Sequence, residues 1–243
     1  MDTSCSSIYS KFKATNSIKN ITDHAGNPFI KIIISRAYAT GILYLDLEDP
    51  ENIGMYQDGM REKSQALIRL YNVLNNVIDK TFTIKFCPKK RQLTVTYETG
   101  VTGYIKISLN YERSDQQLKL ISMSTSNEEN AKYLLQRLCV DINVGYGRVH
   151  IARVENICIS TIVSCTKLPE RQNLEELMTR FKVYDLGYTY MDNSALQPCI
   201  RIEKAWLNVR IFATGNILVN GCPDRQHHVN IIRDICNVLY NQP

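Results

Sequence analysis

The sequence predicts an α+β fold in two consecutive units, each running strand, helix, several strands, helix. Three observations predict it. Residues 207–220 alternate apolar and polar side chains with the period of two of a sheet covered on one face. Three- and four-residue spacing marks a helix at the end of each unit: Ala131, Leu134, Leu135 and Leu138, then Val229, Ile232, Cys236 and Leu239. The same element order restarts after Gly145 and Gly147, an internal repeat of order with little residue identity.

Composition bounds the class. A chain of 243 residues holds one large domain or two small ones. With 44% hydrophobic and 22% charged residues it reads as globular. Lys and Arg exceed Asp and Glu by 29 − 24 = 5, which permits a polyanionic partner without demanding one. No apolar run reaches the roughly 18 residues of a membrane span, and no signal peptide opens the sequence. Residues 1–28, rich in Ser, Thr, Asn and Lys, read as a flexible tail. None of the 8 cysteines forms a C-x-x-C pair, which favours reduced thiols in an intracellular setting and disfavours zinc. Cys222, His227 and His228 match no common ligand spacing; a strand end followed by an exposed helix face accounts for them.

In order, Phe29–Leu47 reads as one long strand or a broken pair, and Met60–Ile78 as a helix with Leu67, Leu70, Leu74 and Val77 inward. Phe82–Phe86 and Leu93–Gly100 flank a basic turn at Cys87–Arg91. Tyr104–Ile107 and Lys119–Met123 are strands around a turn at Glu112–Asp115. Asn127 caps a helix through Asn143, with Gly145 and Gly147 as its stop. Val149–Val163 opens the second unit, followed by a helix at Asn173–Phe181 and a strand at Lys182–Tyr190. The hairpin turns at Ala213–Asn216, where Gly215 supplies positive φ, and Asp224 caps the last helix at Arg225.

The two hairpin faces differ chemically. Leu207, Val209, Ile211, Ile217 and Val219 suit burial under a helix. Asn208, Arg210, Phe212, Asn216, Leu218 and Asn220 share the other face, with Arg201 on the preceding strand. Amide donors for base acceptors, guanidinium for phosphate and apolar wedges for base steps suit a minor groove. A partly covered edge hairpin of an ordinary α+β domain is the other reading.

Residues 201–221 (Arg-Ile-Glu-Lys-Ala-Trp-Leu-Asn-Val-Arg-Ile-Phe-Ala-Thr-Gly-Asn-Ile-Leu-Val-Asn-Gly) resemble the second-repeat hairpin of the TATA-box-binding proteins. There a basic strand leads to Ile-Phe-x-Ser-Gly-Lys and an apolar strand ending in Thr-Gly. Residues 118–130 resemble the first-repeat segment Gly-Lys-Met-Val-x-Thr-Gly-Ala-x-Ser-Glu-Glu-Gln. Val144-Gly145-Tyr146 resembles the Leu-Gly-Phe after that helix, Val154-Glu155-Asn156-Ile157 the strand beginning Ile-Gln-Asn, and Phe86–Arg91 the first stirrup. The resemblance spans about residues 29–240 and is weaker in the first half. It implies a saddle: two pseudo-repeats, 29–147 and 148–243, forming one curved antiparallel sheet with helices on the convex face.

The resemblance also implies DNA contacts. Phe212 matches one of two wedging Phe, and Leu196 its partner. Asn156 matches the dyad Asn, with Cys158 next on that face. Arg201 matches a phosphate contact, Leu218 an apolar groove contact, and Asn220 replaces a Thr. Arg210 makes the face more basic than in the family. In the first half Lys119 and Ile121 keep their types and Met123 replaces a Thr. The dyad Asn falls near Ile32 or Ile34, and Tyr111 is the one aromatic candidate for a wedge. The face either kinks DNA mainly at one end or has a relaxed sequence preference.

Implied partners are A·T-rich promoter double-stranded DNA, a TFIIB-like factor and RNA polymerase, with no small-molecule substrate, cofactor, metal or membrane. Met191 and Asp192 sit in the second stirrup, where the family has paired Glu, so that docking contact is altered. The drift resembles homologues in large DNA viruses or protists, placing the chain in a nucleus or a viral factory. No motif supports an enzyme: Glu128-Glu129 and Glu175-Glu176 begin helices, and His150 lacks a catalytic partner. The function expected is transcription initiation by minor-groove binding and bending. The alternative is an interaction module of the same fold that has lost specific DNA binding. A nuclease or glycosylase accessory domain would need a catalytic partner absent here.

Overall fold

The structure is a computed structural model and describes residues 17–22, 28–45, 59–109, 117–148, 150–194 and 197–240. Its elements run β1 (Ser17–Thr22), β2 (Pro28–Leu45), α1 (Gly59–Asn75), β3 (Phe82–Cys87), β4 (Gln92–Tyr97), β5 (Gly103–Leu109), β6 (Gln117–Ser124) and α2 (Glu128–Tyr146). Then come β7 (Ala152–Lys167), α3 (Leu174–Val183), β8 (Tyr188–Asp192), β9 (Cys199–Lys204), β10 (Leu207–Phe212), β11 (Asn216–Gly221) and α4 (Arg225–Tyr240). Two compact units result. One holds the described residues of Ala37–Ser160, the other those of Met1–Arg36 and Thr161–Pro243. These boundaries cut β2 and β7, whereas the repeat of element order divides at residue 148.

In the 37–160 unit the hydrogen-bonded order is β3-β4-β5-β6-β2-β7. The registers of β3–β4, β4–β5, β5–β6 and β6–β2 are antiparallel. Period-two burial sends Leu93, Val95, Ile105, Ile107, Leu118 and Leu120 to one face. On that face α1 and α2 pack against the strands, and Leu67, Leu70 and Leu74 of α1 and Leu134, Leu135 and Leu138 of α2 are buried. Each such side chain contributes about 1.5–3 kcal/mol on burial. Asn127 caps α2 by accepting from the Asn130 N–H at 2.8 Å.

That helix does not stop at Asn143. It runs to Tyr146, and its left-handed cap is Gly147 at φ +64°. Gly145 lies inside it for a different reason: a Cβ there would sit 2.6 Å from the Val73 carbonyl oxygen of α1. The residue permits close helix approach instead of ending the helix. Close to this contact α1 ends at Asn75, so Val77 and Ile78 lie beyond it, and Ile78 is exposed.

In the other unit the order is β2-β7-β11-β10-β9-β8, with β1 paired antiparallel to β2. Residues 17–22 are therefore a strand rather than part of a tail; pairing needs only an extended backbone beside β2. Ile200, Ile202, Val209, Ile211, Ile217 and Val219 form the strand side of the core. Leu177 and Phe181 of α3 and Val229, Ile232 and Ile235 of α4 form the helix side. The hairpin turns at Gly215 (φ +83°), and Asp224 accepts from the Gln226 N–H at the start of α4 (2.8 Å). Residues 182–187, expected in a strand, instead finish α3 and turn through buried Leu186 and Gly187 into β8. At Gly187 (φ +124°) a Cβ would meet the Glu203 carbonyl oxygen at 2.7 Å. Among the described residues no helix is long and apolar enough to cross a membrane.

Candidate nucleic-acid interface

Because the helices of each unit cover one face of its strands, the alternate residues form rows on the other. In the 37–160 unit, register aligns Lys85, Thr94, Lys106, Ile121 and Thr40 across five strands. The Thr40 Oγ1 is 3.2 Å from the Cys158 Sγ, which extends the row to β7. One flanking row is Thr83, Thr96, Tyr104, Met123 and Tyr38; the other is Cys87, Gln92, Ser108, Lys119 and Ile42. Lys85 and Lys119 are exposed, and the Lys106 Nζ lies 5.3 Å from the Tyr104 ring centroid. β2, β3, β4, β5 and β6 contain no Asp or Glu.

The structure thus brings Lys119, Ile121, Met123 and Cys158 onto one surface. It adds Lys85, Lys106, Tyr104 and Tyr38, which the sequence reading missed. Their signal was a Lys between two apolar residues, in Ile84-Lys85-Phe86 and Ile105-Lys106-Ile107, meaningful only once the register is known. Asn156 is exposed at φ +54°, a left-handed conformation that Asn tolerates better than most residues. It interrupts the alternation of β7: Arg153 and Glu155 are exposed before it, Cys158 and Ser160 after it.

In the other unit the expected residues also line up. Tyr190, Arg201, Arg210, Leu218 and Cys165 form one row. Tyr188, Glu203, Asn208, Asn220 and Val163 form the next. Phe212 is half-buried opposite Cys199, and Asn216 is exposed opposite Lys167. Leu196 and Tyr111 lie outside the described residues.

This second surface is partly bonded to itself. Arg201 Nε lies 2.6 Å from Asp192 Oδ2, an ion pair whose N–H is not aligned for a hydrogen bond. Asp192 is 7% exposed. The Ser194 hydroxyl and N–H donate to its Oδ1 at 2.6 and 2.9 Å. Those bonds, with the Arg201 and Arg210 charges, hold its carboxyl below the ordinary 3.8. Glu203 Oε1 accepts from the Tyr190 hydroxyl (3.1 Å) and the Asn208 amide (3.4 Å). Cys199 is buried among these groups, and loss of solvent raises its thiol pKa. Asp192 is therefore engaged inside the surface rather than presented as an acidic docking point, and Met191 packs against the core.

The expected exposed helix face holds for His227 and fails for His228, which is 0% exposed. The His228 Nε2 is 2.9 Å from the Cys222 carbonyl oxygen, and its Nδ1 2.8 Å from the Ser164 hydroxyl. The carbonyl can only accept, so Nε2 carries the proton and, in the neutral ring, Nδ1 accepts from Ser164. Among the described residues no three His, Cys, Asp or Glu side chains are grouped to hold a metal ion.

No protein-family model matches this sequence, and no curated protein matches it. Among solved structures, the TATA-box-binding protein of Methanococcus jannaschii is similar, with a TM-score of 0.57 at 14% identity. The match covers 87% of this chain and 99% of that one. The chain has a TBP-like fold. The aspartate kinase of Clostridium acetobutylicum also matches, at a TM-score of 0.23 and 7% identity, too low to bear on the fold.

Proposed function

We propose that the chain is a non-enzymatic transcription initiation factor. It binds and bends A·T-rich promoter DNA in the minor groove through its helix-free strand faces, and recruits a TFIIB-like factor and polymerase. The two-repeat saddle implied by the resemblance is part of this reading. The observation that carries it is the surface of the 37–160 unit: Lys85, Lys106 and Lys119 rise from five strands without one carboxylate. Ordinary solvated sheet faces intersperse both signs, whereas β2 to β6 carry cations alone, with Thr hydroxyls and Tyr rings that suit phosphate and sugar contacts; Glu155 of neighbouring β7 is paired with Arg153 at 2.9 Å.

Binding of an A·T-rich duplex at several salt concentrations tests it. Each phosphate neutralised steepens the log–log salt dependence by about 0.9. Replacing Lys85, Lys106 and Lys119 together by Gln is expected to flatten that slope by about 2–3. An unchanged slope contradicts the reading. A second reading, an interaction module without specific DNA binding, is favoured by the Asp192–Arg201 and Glu203–Tyr190 pairs, which occupy groups the DNA would use.

A further inference from the structure

We infer that a groove beside α4 is a docking site for an acidic, apolar-anchored segment of a partner protein. It lies away from the helix-free strand face and does not depend on DNA binding. About 540 Å³ in volume, it is lined by Trp206, Leu207 and Ile231, with Lys204, Arg233 and Asp234 among its charged residues. Leu207 and Ile231 are buried and form an apolar floor. Trp206, the 1 tryptophan of the sequence, stands 83% exposed as a wall. An indole this exposed is unusual on a surface that has no use for it, and tryptophan is the residue most enriched at interface hot spots.

The backbone fixes the position from which the indole projects. Ala205 and Trp206 are the two-residue turn between β9 and β10, and Ala205 sits at φ +49°. A non-glycine residue there is strained, in the turn that presents Trp206. Behind it the Trp206 carbonyl accepts from the Cys222 N–H at 3.3 Å. Gly221, at φ +137°, leaves room for this contact: a Cβ there would lie 1.9 Å from that oxygen. The backbone that carries the indole is thus fixed before any partner arrives, which lowers the ordering cost of binding.

Charge selects the occupant. Asp234 is compensated by Lys204, with Nζ 3.7 Å from its Oδ2. Arg233 is exposed, so the three charged residues sum to one net positive charge. The volume suits one or two apolar side chains of a peptide, and the rim suits a carboxylate beside them.

The test uses the full chain, with a dye-labelled peptide in which Glu alternates with Leu, its counterpart with Lys for Glu, and an A·T-rich duplex as competitor. Binding is read by anisotropy and, in the wild type, by Trp206 emission. Saturable binding of the acidic peptide with a shift in that emission is expected. Arg233→Glu and Trp206→Ala should each weaken it about tenfold or more. Both residues are exposed, and a thermal melt verifies that the variants fold. The proposal is overturned by no saturable binding, by equal binding of the Lys peptide, or by an affinity indifferent to both substitutions. Displacement of the peptide by the duplex also overturns it, since the groove would then belong to a DNA surface.

Discussion

Asp192 is where the chemistry of a single residue has the most readable consequence. Its carboxyl is held below 3.8 by Ser194 and the neighbouring guanidiniums, so folding favours the ionised form. The stability it contributes is complete above the unfolded pKa and is lost as pH falls through the lower, folded pKa. Asp192→Asn is therefore expected to make acid unfolding, followed by circular dichroism, shallower below about pH 4. A curve identical to wild type would contradict this. At this scale the sequence was only partly legible. Alternation alone placed Asn208, Arg210, Phe212, Leu218 and Asn220 on one face, as the burial pattern does. It could not show that Asp192 turns toward Arg201, because their pairing depends on the β8–β9 register. Nor could it show that His228 is buried, because its partner Ser164 is 64 residues away.

Among elements, α2 shows how one residue type carries two meanings. Gly147 caps the helix, while Gly145, two positions earlier, lets α1 approach. In an exposed helix interior Gly→Ala stabilises by about 0.5–1 kcal/mol. Here the new Cβ would sit 2.6 Å from the Val73 oxygen and 2.8 Å from the Val73 Cγ1. Overpacking of that kind costs about 1–3 kcal/mol and outweighs the propensity gain. Gly145→Ala is thus predicted to be net destabilising in urea denaturation; a stabilised variant would show that α1 and α2 separate freely. The β10–β11 hairpin and the start of α4 were legible because their signals are local: period two, a turn glycine, and an Asp cap. Strand β1 and the α3–β8 turn were not, because their pairing and the backbone approach at Gly187 are set by residues remote in sequence.

For the whole molecule, the fold similarity reaches 99% of the Methanococcus jannaschii TBP at only 14% identity, a likeness that speaks for the fold and leaves function to be argued from the site. The central claim is that this fold bends DNA and that Phe212 is the side chain on which the bending would turn. It is half-buried at the end of β10, and an aromatic wedge of this kind kinks duplexes by about 20–90°. The most direct measurement is fluorescence energy transfer across an end-labelled A·T-rich duplex, with a G·C-rich duplex as control. The account predicts that wild type shortens the end-to-end distance of the A·T-rich duplex alone, and that Phe212→Ala still binds through Lys85, Lys106 and Lys119 but leaves the duplex straight. Binding without bending by the wild type, or bending unaffected by Phe212→Ala, would contradict it.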